Sequence, residues 1–348
     1  MIEFSLLRLF GVVAGVSLVI ASLAQLRRYD SERNQIGILA LLGISLLLVS
    51  IFPNLVDLPA DLLALEQMEG GRLTTLLLLS TILLWAVLIS QRISLLVIRS
   101  ELSELVRNSG DFHPQDPDPR TDSAVWVVIP AYNEAQNLEK LLPSIPESIC
   151  GRKINALVVD DGSIDATKFV TRAQRASLLS LPVNSGGGNA LLAGFNIALE
   201  QNAELIVTMD GDGQHSATDL EPLIEPILQN KADLVIGSRI LGSEDGSSAV
   251  RRVGVAVFSK LINLLMGSRI TDCSSGFRAI SASKLAELRL SQRQYHTAEL
   301  LIDAVKRGYR IEEVPIHIGR RIHGKSKKGR DFQYGISFLL VIIKTWLR

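Results

Sequence analysis

Two aspartates on either side of a glycine are the residues best suited to chemistry. Residues 205–215 read Leu-Ile-Val-Thr-Met-Asp-Gly-Asp-Gly-Gln-His, so a short apolar run delivers Asp210 and Asp212 to a predicted strand end. Two carboxylates in a turn supply hard oxygen ligands for Mg²⁺ or Mn²⁺, and Gln214 adds a neutral oxygen. Such a metal can hold a diphosphate. The alternative interpretation is a solvated Asp-Gly turn, because Asp-x-Asp is common.

Three further polar clusters follow predicted strands. They are residues 130–134 (Pro-Ala-Tyr-Asn-Glu), 160–163 (Asp-Asp-Gly-Ser) and 237–239 (Gly-Ser-Arg). Strands and helices alternate from residue 124 onward, which favours an α/β fold with a mostly parallel sheet. Ligands bind beyond the carboxyl ends of the strands in such sheets. The convergence of four clusters on one edge therefore favours a binding site over unrelated turns.

Two segments suit a nucleotide: the aspartate pair after the second predicted strand and the glycine triplet before the predicted helix 190–199. The carboxylates of Asp160 and Asp161 can accept hydrogen bonds from a base or a ribose; alternatively, Asp160 is structural and only one of the pair touches ligand. Gly188 ends a glycine triplet that opens a predicted helix, 190–199, whose backbone N–H groups could meet a phosphate. A flexible turn is the alternative. The triplet is neither a P-loop nor a dinucleotide fingerprint.

The N-terminal third has the composition of a membrane domain. The chain has 348 residues, of which 47% are hydrophobic, and its mean hydropathy is +0.27. Three apolar stretches, 9–26, 36–52 and 73–91, each approach the roughly 20 residues that cross a bilayer as a helix. A signal peptide is disfavoured because no A-x-A site follows the first stretch. Three buried core helices are the alternative.

Arginines in the loops predict the orientation of these spans. Arg27, Arg28 and Arg33 lie between the first two spans, and arginines again follow the third. The loop between the second and third spans carries four acidic residues and a single cation, Arg72. The positive-inside rule then places the N-terminus outside and the region after the third span in the cytoplasm. We expect a multi-pass protein of the cell (inner) membrane, in contact with the lipid bilayer.

Composition also predicts the domain boundaries. Residues 1–107 form the membrane domain, whose last part continues the third span as a helical extension that either packs or self-associates, so a homo-oligomer is left open. Residues 108–123 contain three prolines and several aspartates and are interpreted as a linker. The catalytic domain would cover 124–330. Residues 331–348 are apolar but too short to span, which predicts an amphipathic interfacial helix.

Basic residues mark the C-terminal half where it would meet the membrane. Arg251 and Arg252 begin an apolar helical run, and residues 320–330 are dense in Lys and Arg without an acid. Such runs are usually solvated or bind nucleic acid. Beside three predicted spans, anionic lipid is the expected partner and no nucleic acid is expected.

In unbroken order, these segments resemble an inverting glycosyltransferase of family 2 with the GT-A fold. The segments are V-V-I-P-A-Y-N-E, V-V-D-D-G-S-I-D, A-L-L-A-G-F, D-G-D-G-Q-H, G-S-R, S-S-G-F-R-A and E-V-P-I, within about residues 123–330. The chain is most similar to the dolichyl-phosphate mannose synthase-like branch, whose members transfer sugars to polyprenyl phosphates. Less specifically, the N-terminal region resembles a three-helix membrane domain of unassigned function. The resemblance implies a Rossmann-like GT-A domain joined to an α-helical transmembrane domain.

The resemblance also implies a role for individual residues. Those that would contact the nucleotide are Pro130, Tyr132, Glu134 and Asp161. Those that would hold the metal and the donor diphosphate are Asp210, Asp212 and Gln214. Arg239 would lie near the sugar or the acceptor phosphate, and Arg321 and Lys327 match the acceptor-phosphate segment Arg-x-x-Gly-x-Ser-Lys, with Arg251 and Arg252 beside it. One departure is the absence of the lysine that relatives often carry in the glycine loop.

The implied reaction is an in-line displacement that inverts the anomeric carbon. The donor is a nucleotide-diphospho-sugar, and the acceptor is an undecaprenyl or dolichyl phosphate used for cell-envelope glycan or glycoconjugate synthesis. The acceptor oxygen is already anionic, so no strong base is required. Asp212 and Arg239 are the expected catalytic residues. Glu299 is either a base or orienter, or a glutamate of the helix surface.

Three other functions are compatible with parts of the sequence. A processive polysaccharide synthase shares Asp-x-Asp, but its Q-x-x-R-W segment is not found here. A non-catalytic membrane scaffold or nucleotide-sugar binding protein is disfavoured by the intact metal residues and slightly favoured by the missing lysine. A glycosyltransferase that acts on a glycan hydroxyl remains a third alternative.

Overall fold

The chain divides into two units, Met1–Glu101 and Leu102–Arg348. The structure is a computed structural model. It describes residues 6–26, 33–57, 71–115, 124–174, 176–246, 249–290, 296–321, 323 and 331–348.

Helices make up the described part of the first unit. They are α1 (Leu6–Leu26), α2 (Arg33–Ile51), a 3₁₀ turn (Pro53–Val56) and the greater part of α3 (Gly71–Asn108). The helices α1 and α2 run antiparallel and approach closely at glycines: a Cβ atom on Gly15 would lie 2.9 Å from the carbonyl oxygen of Gly43. Small residues at a helix interface allow apolar helices to pack backbone against backbone.

The helices coincide with the three predicted spans. Within the described residues, Thr74–Asn108 is long and apolar enough to cross a membrane by itself, whereas the apolar parts of α1 and α2 are shorter, Arg8–Ser22 and Ala40–Ile51. The 38 residues of α3 extend over about 57 Å, nearly twice the ~30 Å of a hydrocarbon core. The number of spans and their orientation stay predictions.

The described residues of the second unit form a nine-stranded sheet and its covering helices. The strands are β1 (Asp111–His113), β2 (Val125–Ala131), β3 (Ser148–Ile149), β4 (Arg152–Asp160), β5 (Ser177–Ser180), β6 (Leu205–Thr208), β7 (Leu234–Glu244), β8 (Arg278–Ser281) and β9 (Ile311–Ile318). The helices are α4 (Ala135–Leu141), α5 (Thr167–Ala173), α6 (Gly187–Glu200), α7 (Leu220–Leu228), α8 (Ala249–Met266), α9 (Ala282–Glu287), α10 (His296–Lys306) and α11 (Asp331–Leu347).

The sheet has the order β1-β5-β4-β2-β6-β8-β7-β9, and β3 pairs with β4. The pairs β5–β4, β4–β2, β2–β6 and β7–β9 are parallel, and β8 runs antiparallel to both neighbours. This confirms the prediction of a mostly parallel α/β sheet. In the central strand, Val125, Val127 and Ile129 enter one core, and Trp126 and Val128 enter the core on the other face. Such continuous burial is typical of a parallel strand covered on both sides.

Two predicted boundaries differ from the structure. Gly237-Ser238-Arg239 was expected to follow a strand, but β7 continues to Glu244, with a register shift against β9 between Ser238 and Ser243. A Cβ atom on Gly237 would lie 2.8 Å from Ile316, so glycine lets the strands stay close there. In addition, β1 lies inside the predicted linker 108–123 because it pairs with β5; residues 116–123 lie outside the described residues.

The C-terminal helix α11 packs on the sheet unit through one face. Phe338, Val341 and Ile342 are buried in the core that also contains α10, and the ring of Phe338 lies 5.0 Å from that of Phe258 in α8. The opposite face exposes Leu340. The helix is therefore amphipathic, and whether its exposed face lies at a membrane interface stays a prediction.

Shortening Phe338 to alanine tests whether α11 belongs to this core. F338A should cost about 3–5 kcal/mol because it leaves a cavity, which corresponds to a fall of roughly 6 °C or more in melting temperature for a unit of this size. Leu340→Ala in the same helix is the control, because Leu340 is 60% exposed. Equal melting temperatures for the two variants in detergent would contradict the packing.

Candidate functional site

The two aspartates occupy the turn that follows β6. The side chain of Asp210 is 44% exposed, whereas Asp212 is buried and its Oδ1 accepts a hydrogen bond from the backbone of Gln214 at 3.2 Å. Gly213 has φ +73°, which a residue with a side chain adopts at a cost. Gly276, from the loop before β8, leaves room beside Asp210: a Cβ atom there would lie 3.1 Å from its Oδ1.

The electrostatics of this turn favour a bound cation. Burial, followed by repulsion from Asp210, raises the pKa of Asp212. The guanidinium of Arg321 and the hydrogen bond from Gln214 offset only part of that rise. A neighbouring carboxylate that raises the proton affinity of Asp212 also raises the affinity of the turn for other cations.

The side chains fit a divalent metal that arrives with a phosphorylated ligand. Among the described residues, no group of three or more His, Cys, Asp or Glu side chains could hold a metal ion by itself. Mg²⁺ usually binds through one or two carboxylates, and substrate phosphates and water complete the octahedron. Asp210 and Asp212 supply that pair. Gln214 donates its amide Nε2 to the carbonyl of Gly319 at 2.8 Å, so Oε1 is the atom it can offer to a metal.

Arg321 joins this turn to the end of β2. Its Nη2 lies 2.7 Å from Asp212 Oδ2, and its Nη1 lies 3.6 Å from Glu134 Oε1. The residue predicted for the acceptor phosphate therefore bridges two carboxylates predicted for the donor side. Lys327, its predicted companion, lies outside the described residues.

The loop after β4 positions the glycine triplet. Asp161 is buried and accepts hydrogen bonds from the backbone of Ser185 at 2.7 Å and of Gly186 at 2.8 Å. Gly186 has φ +98°, and α6 begins at the next residue, with Gly188 buried in its first turn. Asp160 is fully buried and accepts from the backbone of Ser163, which favours its structural interpretation. The N-terminus of α6 thus opens on the same edge of the sheet as Asp210.

The loops after β2 and β4 are tied together. Asn133 has φ +54°, donates its backbone N–H to Ser163 Oγ at 2.8 Å, and accepts from the backbone of Ile164 through its side chain. The half-buried Pro130 and Tyr132 flank this contact. The predicted nucleotide residues of the two loops therefore share one wall of the site.

Arg239 is held by a carboxylate that sequence reasoning missed. Its Nε donates to Asp272 Oδ2 at 2.6 Å, and its other nitrogens lie 3.4 Å from Glu244 and Ser274. Burial lowers the pKa of Arg239. The negative charge of Asp272, and more weakly that of Glu244 and Asp210, raises the pKa by a larger amount, so the net shift is upward. Arg239 is therefore a fixed cation within the field of Asp210.

Hydrogen bonds hold the turn that carries Asp272 in place. Glu313 of β9 accepts hydrogen bonds from the backbone of Thr271 at 2.8 Å and of Asp272 at 2.9 Å. Arg278 at the start of β8 is fully buried and donates to the carbonyls of Ser275, Thr297 and Cys273, and burial lowers its pKa to about 10. The sequence signal that could have identified Asp272 as a site residue is its position directly before the segment C-S-S-G-F-R. Its pairing with Arg239 depends on the antiparallel direction of β8.

The remaining candidates are placed apart from these contacts or are only partly described. Glu299 is fully buried, and its Oε1 lies 3.2 Å from Arg348 Nη1. Arg252 is exposed on α8, and of Arg251 only the backbone, in α8, is described. The roles predicted for these three residues stay predictions.

Comparison with known proteins identifies the family. The model for glycosyl transferase family 2 matches residues 126–289. The UDP-N-acetylglucosamine–dolichyl-phosphate N-acetylglucosaminyltransferase of Methanococcus voltae is 33% identical over 218 residues, which cover 56% of this chain and 85% of the relative. The chain belongs to glycosyl transferase family 2. This confirms the family predicted from the motifs and makes the protein a glycosyltransferase.

One further relative and one solved structure are similar to this family 2 glycosyltransferase. The undecaprenyl-phosphate mannosyltransferase of Micrococcus luteus is 32% identical over 218 residues, covering 58% of this chain and 86% of the relative. The glucosyl-3-phosphoglycerate synthase of Mycobacterium tuberculosis, solved with Mn²⁺, UDP and phosphoglyceric acid, has a TM-score of 0.52 at 22% identity, over 66% of this chain and 80% of that one. The second likeness confirms a GT-A-like fold.

Replacing Asp272 by asparagine tests whether it orients Arg239. D272N should lower kcat/KM for sugar transfer by about tenfold to a hundredfold, because Arg239, the cation predicted to be catalytic, would lose its alignment. Asp233→Asn is the matched control, since Asp233 pairs with Arg310 at 2.8 Å directly before β7, at the opposite edge of the sheet. Kinetics and melting temperature would be measured on both variants. Equal losses of activity in both would contradict an orienting role.

Proposed function

We propose that this glycosyltransferase moves a sugar from a nucleotide-diphospho-sugar to a polyprenyl phosphate, with Mg²⁺ or Mn²⁺ held at Asp210 and Asp212. The observation that carries the proposal is the pair of carboxylates beside two arginines, Arg239 and Arg321, at one sheet edge. Carboxylates suit a metal–diphosphate, and arginines suit a second phosphate. The names of two relatives, one a dolichyl-phosphate and one an undecaprenyl-phosphate transferase, support this acceptor.

The donor would lie between the β2 and β4 loops and the β6 turn. Tyr132, Glu134 and Asp161 line the nucleoside side, and the first N–H groups of α6 face the phosphates. A metal bound by Asp210 and Asp212, with Gln214, supplies charge that stabilises the leaving diphosphate. The residues of the chain contribute position and a low-dielectric surrounding.

The acceptor phosphate would enter from the side of Arg239 and attack in line, with inversion of the anomeric carbon. A phosphate oxygen carries its negative charge at neutral pH, so the reaction needs cations to hold it rather than a strong base. Arg239, fixed by Asp272, and Arg321 supply such charges, and Arg251, Arg252 and Lys327 extend them. An anionic acceptor oxygen does not require Glu299 as a base, and the Oε1 atom of Glu299 lies 3.2 Å from Arg348 Nη1.

We further infer that the catalytic unit works at the cytoplasmic face of the cell membrane. Polyprenyl phosphates are membrane lipids, so the acceptor itself demands contact with a bilayer. The helix Thr74–Asn108 and the arginines that follow the predicted spans support a membrane-anchored enzyme for cell-envelope glycan or glycoconjugate synthesis.

A donor screen on the full chain tests the proposal. Purified protein would be incubated with labelled UDP- and GDP-sugars, with and without undecaprenyl phosphate, in Mg²⁺, Mn²⁺ or EDTA. Metal-dependent appearance of label in the lipid phase is expected with one donor. Release of sugar only onto a glycan would favour the hydroxyl acceptor, and the absence of transfer with every donor would favour the non-catalytic scaffold.

Replacing Asp212 by alanine should lower lipid-linked product by on the order of 10²-fold or more, because it removes a metal ligand worth several kcal/mol in the transition state. Asp219→Asn, in the 3₁₀ turn Ala217–Asp219 shortly after the site, is the control and should keep its activity. Initial rates at saturating Mn²⁺ would be compared. Undiminished turnover in D212A would exclude this metal site.

A further inference from the structure

A short segment after β9 is hydrogen-bonded to the aspartate turn. Its described residues, Gly319–Arg321 and His323, are called the strap here. The backbone N–H of Gly319 donates to the carbonyl of Gln214 at 2.9 Å, and Gln214 Nε2 donates to the carbonyl of Gly319 at 2.8 Å. His323 exchanges two with the side chain of Asn137 on α4, at 3.1 and 3.3 Å. The strap is therefore hydrogen-bonded to the rest of the unit on both sides of Arg321.

These hydrogen bonds hold Arg321 beside Asp212, the carboxylate proposed to bind the metal. The Arg321 side chain is 22% exposed, and its Nη2 lies 2.7 Å from Asp212 Oδ2. The other oxygen of Asp212 already accepts from the backbone of Gln214. A divalent cation at Asp212 would thus share a buried carboxylate with a guanidinium, and like charges at that separation repel strongly.

Arg321 also explains how the site tolerates its own negative charge. Asp212 and Glu134 both lie beside the strap, and Arg321 pairs with Asp212 at 2.7 Å and with Glu134 at 3.6 Å. Its charge lowers the pKa of Asp212 against the opposing effects of burial and Asp210. A divalent cation supplies the same neutralisation, so one cation can replace the other without leaving the carboxylates uncompensated.

We propose that Arg321 and the divalent cation bind Asp212 alternately, so that metal and donor release Arg321 to the acceptor phosphate. This inference rests on the proposed function and adds a binding order to it: the donor binds before the lipid phosphate. The same guanidinium serves first as a counter-ion of the metal site and then as a phosphate ligand, a planar fork suited to both. The strap keeps it within reach of both partners.

Direct measurement of metal binding tests the exchange without any turnover. The Kd of the full-length protein for Mn²⁺ alone would be measured by electron paramagnetic resonance at mildly alkaline pH, where free carboxylates are ionised. Arg321→Gln should bind Mn²⁺ about tenfold more tightly than the natural chain, the size of a typical coupling between two ligands. Arg320→Gln, which removes the same charge one residue away, should remain within about twofold. Equal tightening in both variants, or none in R321Q, would overturn the exchange.

Calorimetry with a short-chain polyprenyl phosphate tests whether metal and nucleotide release Arg321 to the acceptor phosphate. The natural chain should bind this lipid about tenfold more tightly when Mn²⁺ and UDP are present, and R321Q should lose that difference. Equal affinity of the natural chain in both conditions would refute the coupling. If the natural chain binds no polyprenyl phosphate in either condition, the proposed acceptor is wrong, while the Mn²⁺ comparison still decides the exchange at Asp212.

Discussion

Repulsion between two carboxylates at the end of β6 is the constraint around which the site is arranged. Asp212 is buried, and Asp210 makes its ionisation harder still. A folded protein keeps such a pair only if positive charge is close by. Arg321 supplies it directly, and Arg239 contributes at longer range while Asp272 fixes its direction. The same imbalance gives the turn its capacity for a metal and, through that metal, for a diphosphate.

The sheet explains why these groups meet. Parallel strands β2, β4 and β6 end at one edge, and β8, which runs the other way, begins there. The loop before β8 therefore adds Gly276 behind Asp210 and Asp272 behind Arg239. An all-parallel sheet would have sent that loop to the far edge. One reversed strand thus brings the buried partner of Arg239 to the side where the substrates bind.

The local sequence predicted the strands and their shared edge, but it did not predict the ion pairs of the site. The apolar runs ending in Pro130, Asp160 and Asp210 predicted the strands and their shared edge, because side chains buried on both faces produce continuous apolar runs. The partners of Arg239 and Arg321 were not predictable in this way. Each lies on another strand or loop, and an ion pair between distant residues leaves no periodicity in the chain. The extension of β7 past Arg239 was hidden for a similar reason, since its pairing with β9 decides where it ends.

The bond between Asp212 and Arg321 joins residues 109 positions apart, and that between Asn137 and His323 spans 186. Contacts of such long sequence separation carry a large loop-closure entropy, which slows their formation. During synthesis, the aspartate turn therefore emerges well before the strap that neutralises it. Until the strap contacts form, the carboxylate pair lacks the guanidinium of Arg321, which lies 2.7 Å from Asp212 in the folded chain. Formation of the strap contacts is thus the step that adds Arg321 to the charge balance of the site.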